Sequence, residues 1–358
     1  MPDFKTFEIF SGTGGVGKTT LATSRAIQIA KSGKRVLLIT IDPAKRLREI
    51  LGLNLDQAGE TVHVPDPLDE DLSLALDVQL MNPEKTFEKI AKIDKCEDVL
   101  DNRIIKILTR PHGGLNEILS IVELNIQHKS KKYDVIVLDT PPGSHFLDFL
   151  DGIDKIKVFF DQSFIEIFQY LGKKVDNKSV KFGKKLFTMV VSSGVKKLLG
   201  YLNKVTGEGF VDEFIDAVIG IYKTKQSFLD ALQLQHTIKS PDKSNWFLVT
   251  SVEQNKLAEA LELKSHAKGL ITGDSYIVLN KCIEEKLSKW HPEADFDKKL
   301  KASLSFREHD LKENLSKHFK QVIDFPEVIS ISPIEHIKNL ANTWQTHFMC
   351  EGKEDGCI

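Results

Sequence analysis

Cysteine is scarce in this chain. Its 358 residues include four, Cys96, Cys282, Cys350 and Cys357, and no two of them form a C-x-x-C pair. That excludes a disulfide scaffold and leaves no legible zinc site. Free thiols of this kind fit a reducing compartment. An excess of one charge is also missing, because 49 basic and 51 acidic residues give a formal net charge of −2. Global electrostatics therefore gives no reason to expect a nucleic-acid partner. No stretch approaches the ~18 consecutive apolar residues of a membrane-spanning helix, so no stable membrane insertion is expected. Met1–Phe10 carries Asp3 and Glu8 and lacks the apolar core of a secretory leader. Cys357, second from the end, makes no C-a-a-X box. There is no internal repeat and no low-complexity segment. The expectation is a cytoplasmic protein of one large domain or two ordinary ones, long enough to bury a core without staples.

What is present is an alternation of short apolar runs with longer helical patterns, the mark of an α/β fold with a mainly parallel central sheet. The runs are Phe7–Phe10, Arg35–Ile41, a weaker Leu74–Leu80, Tyr133–Asp139, Trp246–Thr250, Tyr276–Asn280 and Val328–Ser332. Continuous Val/Ile/Leu runs suit strands buried on both faces. Between Asp151 and Gln235 strand signals vanish and helical stripes take over, such as Phe187, Val190, Val191, Val195, Leu198, Leu199 and Leu202. This predicts a core over residues 1–150 and 236–358 and a helical insert over 151–235.

Four motifs carry chemistry. Gly12-Thr13-Gly14-Gly15-Val16-Gly17-Lys18-Thr19 matches G-x-x-x-x-G-K-[ST] in full, between a strand and a helical pattern that runs on from Thr20. Its glycines let backbone N–H groups face phosphates, and the helix N-terminus adds positive potential. Lys18 would reach the β- and γ-phosphates and the Thr19 hydroxyl would bind Mg²⁺. Second, Asp42-Pro43 ends a strand, where ligands of open α/β sheets bind. A carboxylate there can orient an attacking water, or simply cap a turn. Third, Asp139 follows four apolar residues and opens Asp139-Thr140-Pro141-Pro142-Gly143-Ser144-His145. Asp139 would hold Mg²⁺, and Gly143 would give a switch its freedom. His145 reads equally as a switch residue or a surface histidine. Fourth, Asn280 follows a strand, and its amide suits an adenine edge, although loop asparagines are common. Pro333 could present carbonyls beside the same base or merely end a strand.

Taken together, TGGVGKTT, TIDPAKRL, DTPPGSHFLDFLD and VLNK resemble the arsenite-pump ATPase family over most of the chain. That family includes the ATPase that delivers tail-anchored membrane proteins, and it belongs to the deviant Walker-A class of dimerising nucleotide switches. The resemblance implies a P-loop NTPase fold, ATP with Mg²⁺, and hydrolysis. It matches Gly14, Gly15, Val16, Gly17, Lys18, Thr19 and Thr20 to the nucleotide loop. It matches Asp42 to the water-positioning aspartate of switch I and Asp139–His145 to switch II. Asn280 matches the adenine contact, and Pro333 the loop closing over the base. It also implies a dimer and an apolar, membrane-protein client.

Two departures stand out. The family's loop carries a lysine that reaches the partner's phosphates, and here that position is Thr13. Losing a cation of the arginine-finger kind costs ~10³ or more in rate. Slow turnover as a homodimer, or pairing with a lysine-bearing paralogue, is therefore expected. The missing C-x-x-C removes the zinc-clasped dimer of eukaryotic targeting factors, and the four cysteines show no recognisable cluster for arsenite. Within the insert, Lys173–Lys204 holds nine lysines and a single acid, Asp176. A basic amphipathic helix of this kind is either a partner-binding element or a solvated face over a core stripe.

Overall fold

Strand β1 (Phe7–Gly12) is buried along its whole length, as are β2 (Val36–Thr40), β5 (Val135–Asp139) and β6 (Ser244–Ser251). A strand covered on both faces needs no polar alternation, which is why these segments read as unbroken apolar runs. The computed structural model describes residues 4–41, 57–65, 74–111, 113–143, 209–267, 275–319 and 321–349. The helical stripes and lysine run expected over 151–208 lie outside them.

By its internal contacts the chain divides into two units. The first comprises Met1–Met81, Ile126–Leu150 and Gln235–Ile358. It contains an eight-stranded sheet in the order β3-β4-β2-β5-β1-β6-β7-β8, completed by β3 (Thr61–His63), β4 (Leu76–Leu80), β7 (Ser275–Cys282) and β8 (Gln321–Pro326). Every neighbouring pair is parallel except β3 with β4. The predicted parallel α/β fold is thus present, with β1 in the interior of the sheet. Helix α1 (Lys18–Lys31) follows β1 directly. Phe10 stacks on Phe247 at 4.8 Å, and the Trp344 ring meets Phe247 at 5.5 Å and Phe325 at 4.6 Å. That aromatic cluster fills the space beside α1. Arg25 of α1 is fully buried and donates two hydrogen bonds to Oε2 of buried Glu8, at 3.0 and 2.9 Å, while Asn245 Nδ2 donates to Oε1 at 2.7 Å. The pair bolts α1 to β1 and β6.

One strand differs from the sequence reading. The apolar run Val328–Ser332 is not a strand; Ile329 and Ile331 in it are 84% and 101% exposed. Pairing with β7 ends at Pro326, and the true strand shows an edge pattern in which only Ile323 and Phe325 are buried. β3, three residues with mostly exposed side chains, gives too short a pattern to read.

The second unit comprises Asn82–Asn125 and Asp151–Leu234. Its described part is helical: α2 (Pro83–Ile93), a short 3₁₀ turn (Glu97–Asp101), α3 (Arg103–Leu108), the first part of α4 (Asn116–Ser130), α5 (Phe210–Lys223) and the start of α6 (Lys225–Lys239). Asn82 caps α2 by accepting from the Lys85 N–H, and Asn102 caps α3 by accepting from those of Ile104 and Ile105. Buried Glu123 of α4 accepts from the Thr86 hydroxyl and the Lys89 ammonium, both at 2.7 Å.

Candidate functional site

The chain turns sharply at the C-terminal end of β1 because glycine stands where no side chain fits. A Cβ on Gly12 would lie 2.4 Å from the Val249 carbonyl oxygen of β6. Gly15 and Gly17 have φ of 80° and 90°, a left-handed backbone that favours glycine. Gly17 is also the N-cap of α1, with no side-chain cap, and the first turn carries no acid. The first N–H groups of α1 are therefore left for an anion. Gly14 and Gly15 are exposed, and a Cβ on either would meet nothing within 4 Å. The loop is an open cradle.

The groups around this cradle want negative charge. Lys18 is only 8% exposed, and among the described residues its ammonium has no carboxylate partner. The hydroxyls of Thr13 and Thr20 are buried and have no hydrogen-bond partner among the described residues. Desolvated donors without partners are costly, and a polyanion with acceptor oxygens satisfies all three. A triphosphate fits this donor set on chemical grounds.

Asp139 ends β5 beside the loop. Its Oδ2 accepts from the Thr19 hydroxyl at 2.8 Å and from the Thr40 hydroxyl at 3.1 Å. Thr40 and Asp139 are register partners across β2 and β5, so one buried oxygen gathers α1, β2 and β5. Thr140 then ties the next segment to β1, donating to the Phe10 carbonyl from its hydroxyl at 2.8 Å. The Gly143 N–H donates to the Gly12 carbonyl at 3.1 Å, and Pro142 is half-buried beside it. A carboxylate and a hydroxyl at hydrogen-bond distance, both hard oxygen donors, suit Mg²⁺, which typically takes one or two protein ligands and leaves the rest to phosphate and water. Among the described residues no group of three or more His, Cys, Asp or Glu side chains is arranged to hold a metal by itself. Cys96 and Cys282 are buried free thiols, and burial pushes both up from their ordinary range.

The structure brings Gly14, Gly15, Val16, Gly17, Lys18, Thr19, Thr20, Asp139 and Gly143 together at this one sheet edge. Asn280 joins them, because its Nδ2 donates to the Val16 carbonyl at 2.8 Å. Pro333 is placed differently. It is the exposed first residue of the helix Pro333–Met349, where a missing N–H costs nothing. Asp42, Pro43 and His145 lie outside the described residues, just beyond segments that are described. The Ile41 N–H donates to the Asp139 carbonyl. Thr40 was not singled out from sequence, and Thr140 only as part of the Asp139–His145 stretch. Only the register of β2 against β5, and of β5 against β1, reveals that they face Asp139 and Phe10.

A family model described as "Anion-transporting ATPase" matches residues 5–323. Among curated relatives, the chain is 34% identical to the ATPase GET3 of Ajellomyces dermatitidis over 39% of this chain and 40% of that one. It is 35% identical to the ATPase ASNA1 homolog of Plasmodium berghei over 41% of this chain and 36% of that one. It is 31% identical to the ATPase get3 of Pyrenophora tritici-repentis over 51% of this chain and 50% of that one. The chain thus spans half the length or less of these relatives.

Proposed function

The chain belongs to the anion-transporting ATPase family, and from that premise we propose that it binds ATP with Mg²⁺ at the C-terminal edge of the sheet and hydrolyses it. The observation that carries this reading is the Thr19–Asp139 hydrogen bond at 2.8 Å beneath an open glycine loop. Thr19 and Asp139 are the residues that would hold Mg²⁺. When bound, the ion supplies charge neutralisation on the transferred phosphoryl group.

The chain's own groups do the rest. The N–H groups of the loop and of the first turn of α1 cradle the phosphates. Lys18 places a fixed ammonium against the β- and γ-oxygens, where negative charge builds during transfer. Asp42 orients the attacking water. Phosphoryl transfer asks little more of a protein than such positioning and electrostatics. Pro142, Gly143 and His145 act as the nucleotide-sensing switch, since the Gly143 N–H is already bonded to the loop at Gly12.

Nucleotide state would couple to residues 151–235 as a client- or partner-binding region. An apolar or membrane-protein client follows from the resemblance and from the stripe Phe187–Leu202. Among the described residues no helix is long and apolar enough to cross a membrane. A second reading is a slow subunit that pairs with a lysine-bearing paralogue. It is favoured by Thr13, which is 5% exposed and uncharged, so nothing cationic at that position reaches a partner.

The test is MgATP titration calorimetry with phosphate-release kinetics on wild type and Asp42→Asn, with oligomeric state measured beside a non-hydrolysable analogue. Binding by both proteins with turnover only in wild type is the expected result. No binding by wild type would overturn the reading. Turnover that appears only on adding a paralogue selects the second.

A further inference from the structure

Asn280 stands at an irregular place. The register between β7 and β8 slips between Leu279 and Cys282, and Lys281 in that slip has φ 65°, left-handed for a residue with a side chain. Such a conformation is unfavourable for a lysine, and it follows directly on Asn280, whose side chain crosses to the phosphate loop. In the sheet β7 is separated from β1 by β6. The Asn280 amide nevertheless reaches the phosphate loop over the end of β6, donates to the Val16 carbonyl at 2.8 Å, and is 6% exposed. Its Nδ2 lies 2.3 Å from where a Cβ of Gly17 would stand. The amide occupies a space that only glycine leaves open.

Val16 is flanked by Gly15 and Gly17, the two left-handed glycines of the loop. A glycine loop loses more conformational freedom on ordering than any other. A hydrogen bond to the carbonyl between two such hinges is the economical place to hold it. We propose that Asn280 is a brace of the phosphate loop: a positioning residue that fixes the loop's shape before a nucleotide arrives, and does so whatever the base. An Asn amide has two N–H groups and an oxygen. One N–H is spent on Val16, and the remaining pair is still available to a base edge, so bracing and base contact are compatible. The inference rests on the reading that this loop binds phosphate, because its benefit is a lower ordering cost on binding.

Two variants test it: Asn280→Ala removes the side chain, and Asn280→Asp keeps its shape but replaces the donor by an acceptor. Three quantities are compared with wild type. They are amide hydrogen exchange of Gly14–Lys18 in ligand-free protein, affinity for inorganic tripolyphosphate, and affinities for ATP and GTP. Losing one net hydrogen bond corresponds to about fivefold. Both variants should therefore exchange the loop about fivefold faster, with the core strands unchanged. Tripolyphosphate, ATP and GTP should all weaken by that same factor in Asn280→Ala, and by more in Asn280→Asp, whose carboxylate also repels phosphate. Unchanged loop exchange and tripolyphosphate affinity, with only ATP weakened, would overturn the brace and leave a base contact alone. Should Asn280→Ala unfold, Asn280→Asp carries the comparison. A wild type that binds neither ATP nor tripolyphosphate sinks the phosphate reading. Faster loop exchange in the variants would still uphold the brace.

Discussion

Replacing Lys18 by methionine separates stability from binding in opposite directions. The side chain is 8% exposed and follows the uncapped N-terminus of α1. Among the described residues no carboxylate answers its charge. A cation at the positive end of a helix is disfavoured by about 0.3–1 kcal/mol. Methionine keeps the apolar stem and removes the charge, so the ligand-free variant should be as stable as wild type, or more stable by about 1 kcal/mol. Ligand linkage works the other way. At a free ligand concentration 100 times Kd, a bound nucleotide stabilises the native state by about 2.7 kcal/mol. At roughly 2–4 °C per kcal/mol for a unit of this size, wild type should melt about 5–10 °C higher with a non-hydrolysable ATP analogue and Mg²⁺. Lys18→Met should show no such rise. Scanning calorimetry with and without ligand measures both quantities on the same samples. A ligand-free loss of more than ~1 kcal/mol would mean Lys18 has a structural partner. A retained ligand shift would mean the ammonium is not in the phosphate site.

Other perturbations follow from the same geometry. Thr13→Val removes a buried hydroxyl that has no partner among the described residues. It should raise ligand-free stability by about 1 kcal/mol and lower MgATP affinity; calorimetry that finds the affinity unchanged removes Thr13 from the nucleotide site. Asp139→Asn should leave nucleotide binding measurable but raise the Mg²⁺ concentration needed for turnover by roughly tenfold or more, read from phosphate release against Mg²⁺. Glu8→Gln strips the buried Arg25 guanidinium of its counter-charge and should cost about 3–5 kcal/mol in denaturant unfolding; a loss under ~1 kcal/mol would refute the bolt. At the surface, the hydrogen bond from Arg35 lowers the Asp134 carboxyl to about 2. The folded value lies below the unfolded ~3.9, so the contribution is complete at neutral pH and is lost as pH falls from about 4 towards 2. The pair is solvent-exposed, so its contribution is small. Arg35→Gln should slightly flatten the acid limb of the melting-temperature profile, and an unchanged profile would refute the pair's contribution.

Much of this site was legible because its elements are local. The phosphate loop is a contiguous motif, and glycine's tolerance of left-handed backbone explains its spacing. The interior strands were legible for the same reason, since burial on both faces writes itself as a run such as Arg35–Ile41. Edge strands leave a weaker trace. At β8 only Ile323 and Phe325 are buried, and the neighbouring Val328–Ser332, more apolar by composition, misdirects the reading. Non-local features were silent. That Thr40 would share Asp139 with Thr19 depends on the register of β2 against β5. That Asn280 would meet Val16 depends on where β7 stands in the sheet, across β6 from β1. No signal within Asn82–Asn125 shows that this stretch packs as a helical unit with residues from beyond Asp151, because an amphipathic stripe names a buried face but not its partner.

The interior position of β1 has a consequence for how the protein is made. Phe7–Phe10 pairs with Ile136–Asp139 on one side, and Phe7–Gly12 pairs with Ser244–Val249 on the other. Synthesis is vectorial and proceeds at about 5–20 residues per second. β1 leaves the ribosome before either neighbour and lacks both until much of the chain has followed, and the Asn280 contact closes later still. Non-local pairing of this kind is slow to reward the chain entropy it consumes. The phosphate loop, though it emerges ahead of β5, β6 and Asn280, is one of the last places to become whole. Until then the buried apolar residues of β1 need shielding, and a nascent chain shorter than β6 should be unable to hold a nucleotide.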